Sequence, residues 1–324
     1  MLPMTSQQIA AQESLRDALN AWLDNPRKNI QVVQAISRGA RMDLPAKAGS
    51  QSSVLSNCCR LVFDKRSWED ISSFCEGNPG WAQAAGADGA FPIHHAAACG
   101  NFEAIESLRA MGALASALDS EGLSPLHRLC LLEDPNPEAQ YPEAIAALLR
   151  MWPQGANFST SQGQPLHCAG KSGCWPAIAP LCAAGADADA AHEGWRPIDL
   201  ACSRPKTGAS ARALAEAGAN LELAPWPLPD ASPQASPLKA CLSKAWVDTS
   251  RALLAFGASL EAPSGRENGV EEDSLAVLGA ISARGAAADM LLGMLEMRKI
   301  ESQAAASFAA KPELADKIYR RCRR

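Results

Sequence analysis

Asp88-Gly89-Ala90-Phe91-Pro92-Ile93-His94-His95-Ala96-Ala97-Ala98-Cys99-Gly100-Asn101 is the stretch that decides the fold. The Asp-Gly start marks a turn. Pro92 follows where the first turn of a helix has no use for an N–H. Beyond Asn101 the chain continues through Ile105 and Leu108 to Gly112-Ala113. A glycine after a second helix suits the left-handed conformation that ends many helices.

The pattern returns down the chain. Its first half recurs as Ser124-Pro125-Leu126-His127, Gln164-Pro165-Leu166-His167, Arg196-Pro197-Ile198-Asp199 and Ser236-Pro237-Leu238-Lys239. The prolines at 92, 125, 165, 197 and 237 are 33, 40, 32 and 40 residues apart. Its second half recurs as Gly155-Ala156, Gly185-Ala186, Gly218-Ala219 and Gly257-Ala258. Paired signatures kept in phase define a repeat array.

The sequence resembles the ankyrin repeat, whose signature has T-P-L-H-x-A near its start and G-A near its end. The resemblance covers roughly residues 30 to 298. It implies an all-α solenoid of about eight helix-turn-helix units with short projecting β-hairpins and degenerate terminal caps. Val32-Val33-Gln34-Ala35-Ile36-Ser37-Arg38-Gly39-Ala40 reads as a second helix and its stop. Ser53-Val54-Leu55-Ser56-Asn57-Cys58-Cys59 reads as a first helix without the proline. The expected organisation is an N-terminal cap with degenerate repeats over 1–86, central repeats over 87–262 and capping helices over 263–324.

Composition agrees with a stack of close-packed helices, at 47% hydrophobic and only 5% aromatic. The net charge of −5 argues against a nucleic-acid binder, which is usually basic. Eleven cysteines in irregular spacing do not read as a disulfide framework. Residues 1–8 lack a basic stretch followed by an apolar run, so no secretory signal is expected. No run reaches the roughly 20 apolar residues of a membrane span. A reducing cytoplasm is the expected location.

Chemistry-bearing residues find structural explanations. Cys58, Cys59, Cys130, Cys202 and Cys241 fall four or five residues after the proline position, where a small apolar side chain packs. Cys168, Cys174 and Cys182 lack the paired spacing of a zinc site. The resemblance assigns His94, His127 and His167 a structural role, bridging neighbouring hairpins. His192 is expected on a hairpin. Ala169-Gly170-Lys171-Ser172 matches the end of a phosphate-binding loop, but Pro165 occupies the place of its first glycine. No catalytic, cofactor or metal-binding residue is assigned, and no small-molecule substrate is evident.

The resemblance directs attention to the concave side, where partners of ankyrin proteins dock. The exposed inner-helix ends lie six and seven residues after the motif proline. Those places hold Arg60 and Leu61, Ala98 and Cys99, Leu131 and Leu132, Lys171 and Ser172, Ser203 and Arg204, Ser243 and Lys244. Four of these six pairs carry a cation and none a carboxylate, which predicts a groove suited to an acidic protein surface. Glu121 on the Asp119-Ser120-Glu121-Gly122 turn, Trp195 beside Gly194, and Trp226 within a proline-rich finger are further candidates for partner contact. So is the insertion over 132–142. The basic tail over 317–324 reads as a solvated helix end.

Three functions fit such a chain, which is expected to be a monomer when free. The first is a non-enzymatic binding protein that inhibits one partner, as a bacterial immunity protein occludes a toxin; the alanine-rich composition resembles bacterial members. The second is a secreted effector that captures a host protein. The third is an enzyme targeted by its repeats, which is left about 30 residues before the array and 25 after it, too few for an ordinary domain.

Overall fold

The computed structural model describes residues 5–24, 34–35, 38, 41–43, 53–60, 68–69, 71, 73, 75, 78–133, 140–205, 207–222, 236–243 and 246–258. The chain forms two compact units, Met1–Asn220 and Leu221–Arg324. Leu61, Trp226 and Lys244, the fingers over 223–235 and 264–273, and the tail lie outside the described residues, as does 134–139 within the insertion.

The first unit opens with α1 (Ser6–Asp24). Its buried Ala11, Leu15 and Ala18 face inward. Gln12 accepts from the backbone N–H of Arg41 at 2.9 Å and donates to its carbonyl at 3.2 Å. That pairing joins α1 to the segment that closes on Met42, which is fully buried.

Helix pairs follow. The inner helices are α2 (Val54–Arg60), α3 (Pro92–Ala98), α5 (Pro125–Cys130), α7 (Pro165–Ser172) and α9 (Pro197–Ala201). The outer helices are α4 (Phe102–Ala110), α6 (Tyr141–Met151), α8 (Ile178–Ala183) and α10 (Gly208–Glu216). Each inner helix packs on the next, and the outer helices form a second layer. The second unit contributes α11 (Pro237–Ser243) packed on α12 (Val247–Ala255).

Sequence dictates both ends of these helices. Each inner helix of the proline-marked repeats begins at its motif proline. In α3, α7 and α9 the side chain three residues on caps the backbone N–H just before the proline. His94 Nδ1 accepts from Phe91 at 3.2 Å, His167 Nδ1 from Gln164 at 3.3 Å, and Asp199 from Arg196 at 3.1 Å. This satisfies a donor that a helix start would otherwise strand.

The Gly-Ala stops are equally local. Gly112, Gly185, Gly218 and Gly257 have φ between 81° and 97°. The alanine after each donates to the carbonyl five residues back: Ala113 to Leu108, Ala186 to Leu181, Ala219 to Leu214 and Ala258 to Leu253. This is the six-to-one closure of a left-handed helix end. Gly155 departs from the rule. It sits in a 3-10 turn, Pro153–Asn157, and a Cβ there would lie 2.9 Å from the Trp152 ring. Glycine leaves room there for the indole, and its backbone angle is one any residue adopts.

The projecting hairpins are short. Two close as single antiparallel bridges, Thr160 with Gly163 and His192 with Trp195. The turn at Asp119 closes through the Leu123 carbonyl, which accepts from Asp119 at 3.0 Å. No helix among the described residues is long and apolar enough to cross a membrane.

The inter-repeat core is built from small side chains. Ala96, Ala97, Cys58, Cys59, Cys130 and Ala169 are fully buried, and Cys202 nearly so. At Gly170 even a methyl group would collide, 2.4 Å from the Pro197 carbonyl. Close packing of this kind has no slack for added volume.

Candidate partner-binding face

Three histidines tie each hairpin to the inner helix before it. With Nδ1 engaged as an acceptor, each imidazole carries its hydrogen on Nε2. His94 donates to the Leu123 carbonyl at 3.1 Å, His127 to Gly163 at 3.1 Å and His167 to Trp195 at 3.1 Å. All three are buried. Burial lowers their basicity, bringing His127 down to about 4.

The fourth repeat has Asp199 in place of the histidine, and an ion pair occupies the helix start there. Asp199 accepts from the guanidinium of Arg196 at 3.0 and 2.8 Å. Arg196 in turn donates to the Asn220 carbonyl at 2.7 Å. Both residues are about 95% buried. The repeat thus keeps a donor aimed at the next loop without an imidazole.

Other bonds run along the opposite ends of the helices. Asn101 donates to the Cys59 carbonyl at 3.3 Å, and Ser172 to the Cys130 carbonyl at 2.6 Å. Ser172, a candidate contact residue, is therefore committed to holding its own helix on the preceding one.

The candidate cations differ in what they hold. Arg60 ends α2, is exposed, and donates through Nε and Nη2 to His95 Nδ1 at 3.2 and 3.0 Å. His95 is buried, and burial together with the Arg60 charge lowers it to about 4, so it accepts as a neutral ring. Its Nε2 lies 3.8 Å from the Asp88 carboxylate. Lys171 is half-buried and donates to the amide oxygen of Gln162, on a hairpin tip, at 2.9 Å. Both cations therefore rest on neutral acceptors. Arg204 is exposed and approaches Glu133 at 3.7 Å. That carboxylate stands eight residues after its proline, one place beyond the positions read from the sequence, and it interrupts the row of positive charge.

Glu121 occupies an exposed turn tip and pairs with Arg128 at 3.0 Å. The same guanidinium reaches Asp119 at 2.6 Å. Burial works to raise the Asp119 carboxyl, but hydrogen bonds from Leu123, Arg128 and Glu121 outweigh it and hold the group below its ordinary range. Leu131 and Leu132 are half-buried beyond α5, and Trp195 is half-buried on its hairpin.

Residue spacing did not single out Trp175. It is 51% exposed on the 3-10 turn Trp175–Ala177 between α7 and α8. Gly173-Cys174-Trp175 aligns with Gly100-Asn101-Phe102, which was the available signal. Leu114 and Leu118 are also exposed, on the loop that leads to the Asp119 turn.

The cysteines belong to the packing. Cys168 and Cys174 donate to the carbonyls of Gln162 and Leu129, and burial pushes both thiols up to about 12. Among the described residues, no three His, Cys, Asp or Glu side chains converge as metal ligands.

No protein-family model matches the chain, and no curated protein is significantly similar in sequence. Solved structures are similar in fold. The human ASB11 ankyrin repeat domain superposes with a TM-score of 0.53 at 18% identity, over 77% of this chain and 98% of that one. The ankyrin repeat domain of Bcl-3, a member of the IkappaB protein family, gives 0.48 at 18% identity, over 74% and 97%.

Proposed function

The chain has the ankyrin-repeat fold, and we propose that it is a dedicated, non-enzymatic binding protein that grips an acidic protein surface along its inner-helix ends. The observation that carries this reading is the pair Arg60 and Lys171, held in place by neutral acceptors. Their charge is positioned but not cancelled, which is how a surface is prepared for an anionic partner. Glu121 and Trp195 lie on projecting hairpins, Leu131, Leu132 and Arg204 follow inner helices, and Trp226 and Lys244 continue the set in sequence. The finer reading is inhibition of one partner by occlusion, as an immunity protein neutralises a bacterial toxin, in the cytoplasm.

Capture from the native cell followed by mass spectrometry would identify the partner. Lys171→Glu with Arg204→Glu is expected to weaken that complex at least tenfold and to flatten its dependence on salt. Unchanged affinity would remove the electrostatic reading. A captured toxin whose activity falls on binding supports inhibition. Translocation into a host cell with capture of a host protein would support the effector reading in its place.

A further inference from the structure

All five histidines of the chain precede residue 193. Three of them form the successive bridges of α3, α5 and α7, and the bridge at α9 is made by Arg196 and Asp199. We infer that acid divides this array at the boundary between Trp195 and Arg196, uncoupling the histidine-bridged repeats while the arginine-bridged one keeps its hold on the Asn220 loop.

The geometry sets the direction. His94 and His167 take a backbone N–H at Nδ1 and give Nε2–H to the next hairpin. A proton added at Nδ1 would place one donor against another and break the cap while the ring stays buried. His127 differs only in its cap, where the Ser124 hydroxyl meets Nδ1 at 2.7 Å. A hydroxyl can turn to accept, so burial is the main penalty there.

The surroundings do not rescue the charge. Asp119 and Arg128 face His94 with opposite signs; Asp119 faces His127; Asp187 and the imidazole of His192 face His167. In every case burial outweighs the favourable carboxylate. His95, beside them on α3, faces Arg60, Asp88, His94 and Arg128 and adds to the same trend. A guanidinium, by contrast, keeps its charge throughout the range in which imidazoles titrate.

The bridged carbonyls belong to or adjoin the hairpins that carry Glu121, Gln162 and Trp195, so acid would loosen the proposed contact face before the rest of the array. The inference concerns the free chain and holds whether or not the partner is acidic.

Hydrogen exchange of the full chain, read by mass spectrometry at pH 7.5 and pH 5.0 and corrected for intrinsic rates, tests it. Protection in α3, α5 and α7 is expected to fall at least tenfold, and in α9 and α10 less than threefold. An equal fall in both groups, or none in either, overturns the inference. Arg196→Thr with Asp199→His, which restores the motif, should make α9 and α10 as acid-sensitive as the rest. His167→Gln, which keeps polar atoms but cannot titrate, should reduce the sensitivity of α7. If α7 in that variant responds to acid as before, the assigned cause is wrong.

Discussion

Arg196 gives the Asn220 carbonyl, at 2.7 Å, the hydrogen bond that His167 gives the Trp195 carbonyl at 3.1 Å. The two donors occupy different places in the motif, one before the proline and one after it. Their acceptors differ in place as well: Trp195 stands two residues before the next motif proline, whereas Asn220 stands two residues after Gly218, at the stop of the outer helix.

That arrangement makes the pair fragile to single changes. Asp199→Ala leaves a guanidinium about 95% buried with only the more distant Asp189 carboxylate, 3.7 Å away. Breaking a buried ion pair from one side typically costs about 3–5 kcal/mol. Removing both charges, as in Arg196→Met with Asp199→Ala, is expected to cost less than the single change. Urea unfolding of the two variants checks the order, and a more stable single variant would contradict it.

Gly170 tolerates no side chain. With a Cβ 2.4 Å from the Pro197 carbonyl, Gly170→Ala must push α7 and α9 apart, at a cost of about 1–3 kcal/mol or more. Gly155→Ala meets the flexible edge of an indole instead and is expected to cost less. Thermal unfolding of both variants gives the comparison.

Stability should begin to fall with acid above the range in which carboxylates titrate. His127 titrates near 6.5 in an unfolded chain and near 4 when folded. The unfolded state therefore binds the extra proton between those limits, and folding loses free energy as pH drops through the window from about 6.5 to about 4. The loss from His127 alone is about 2 kcal/mol at pH 5. Denaturant midpoints at pH 7.5 and pH 5.0 measure it, and His127→Gln should narrow the difference between them.

Thiol reactivity should follow burial. Among the ten described cysteines, Cys99 and Cys182 are only half-buried, and they are expected to label first with an aromatic disulfide reagent under native conditions. Cys58, Cys59 and Cys130 should resist until the chain unfolds, because their thiolates are strongly disfavoured by burial. Peptide mapping after timed labelling distinguishes the two groups. Early reaction at Cys130 would contradict the packing described for α5 and α7.

The repeat was legible because its signals act at short range. A proline at 92, 125, 165, 197 or 237 starts a helix whatever lies elsewhere, and a Gly-Ala pair closes one within six residues. What joins one repeat to another was less legible. Asp199 reads as a lapse from the motif until Arg196 is seen beside it. Gly155 reads like the other stops, although its reason is the Trp152 ring. The candidate face shows the same limit. Spacing located Arg60, Lys171 and Arg204, but their partners His95, Gln162 and Glu133 emerged only from the three-dimensional arrangement. Glu133 lies one residue beyond the helix-end positions that the motif marks. Trp175 occupies a place that ordinarily holds an apolar residue at the start of an outer helix, so spacing does not mark it as exposed.

Asn101 reaches Cys59, Ser172 reaches Cys130, and His94, His127 and His167 each reach one hairpin ahead. Every one of these ties ends within the neighbouring repeat. Arrays coupled only to nearest neighbours can gain or lose whole units at modest energetic cost. Duplication or deletion of one repeat-sized block of sequence would change the length of the reading surface, and each new copy would arrive already equipped to join the stack.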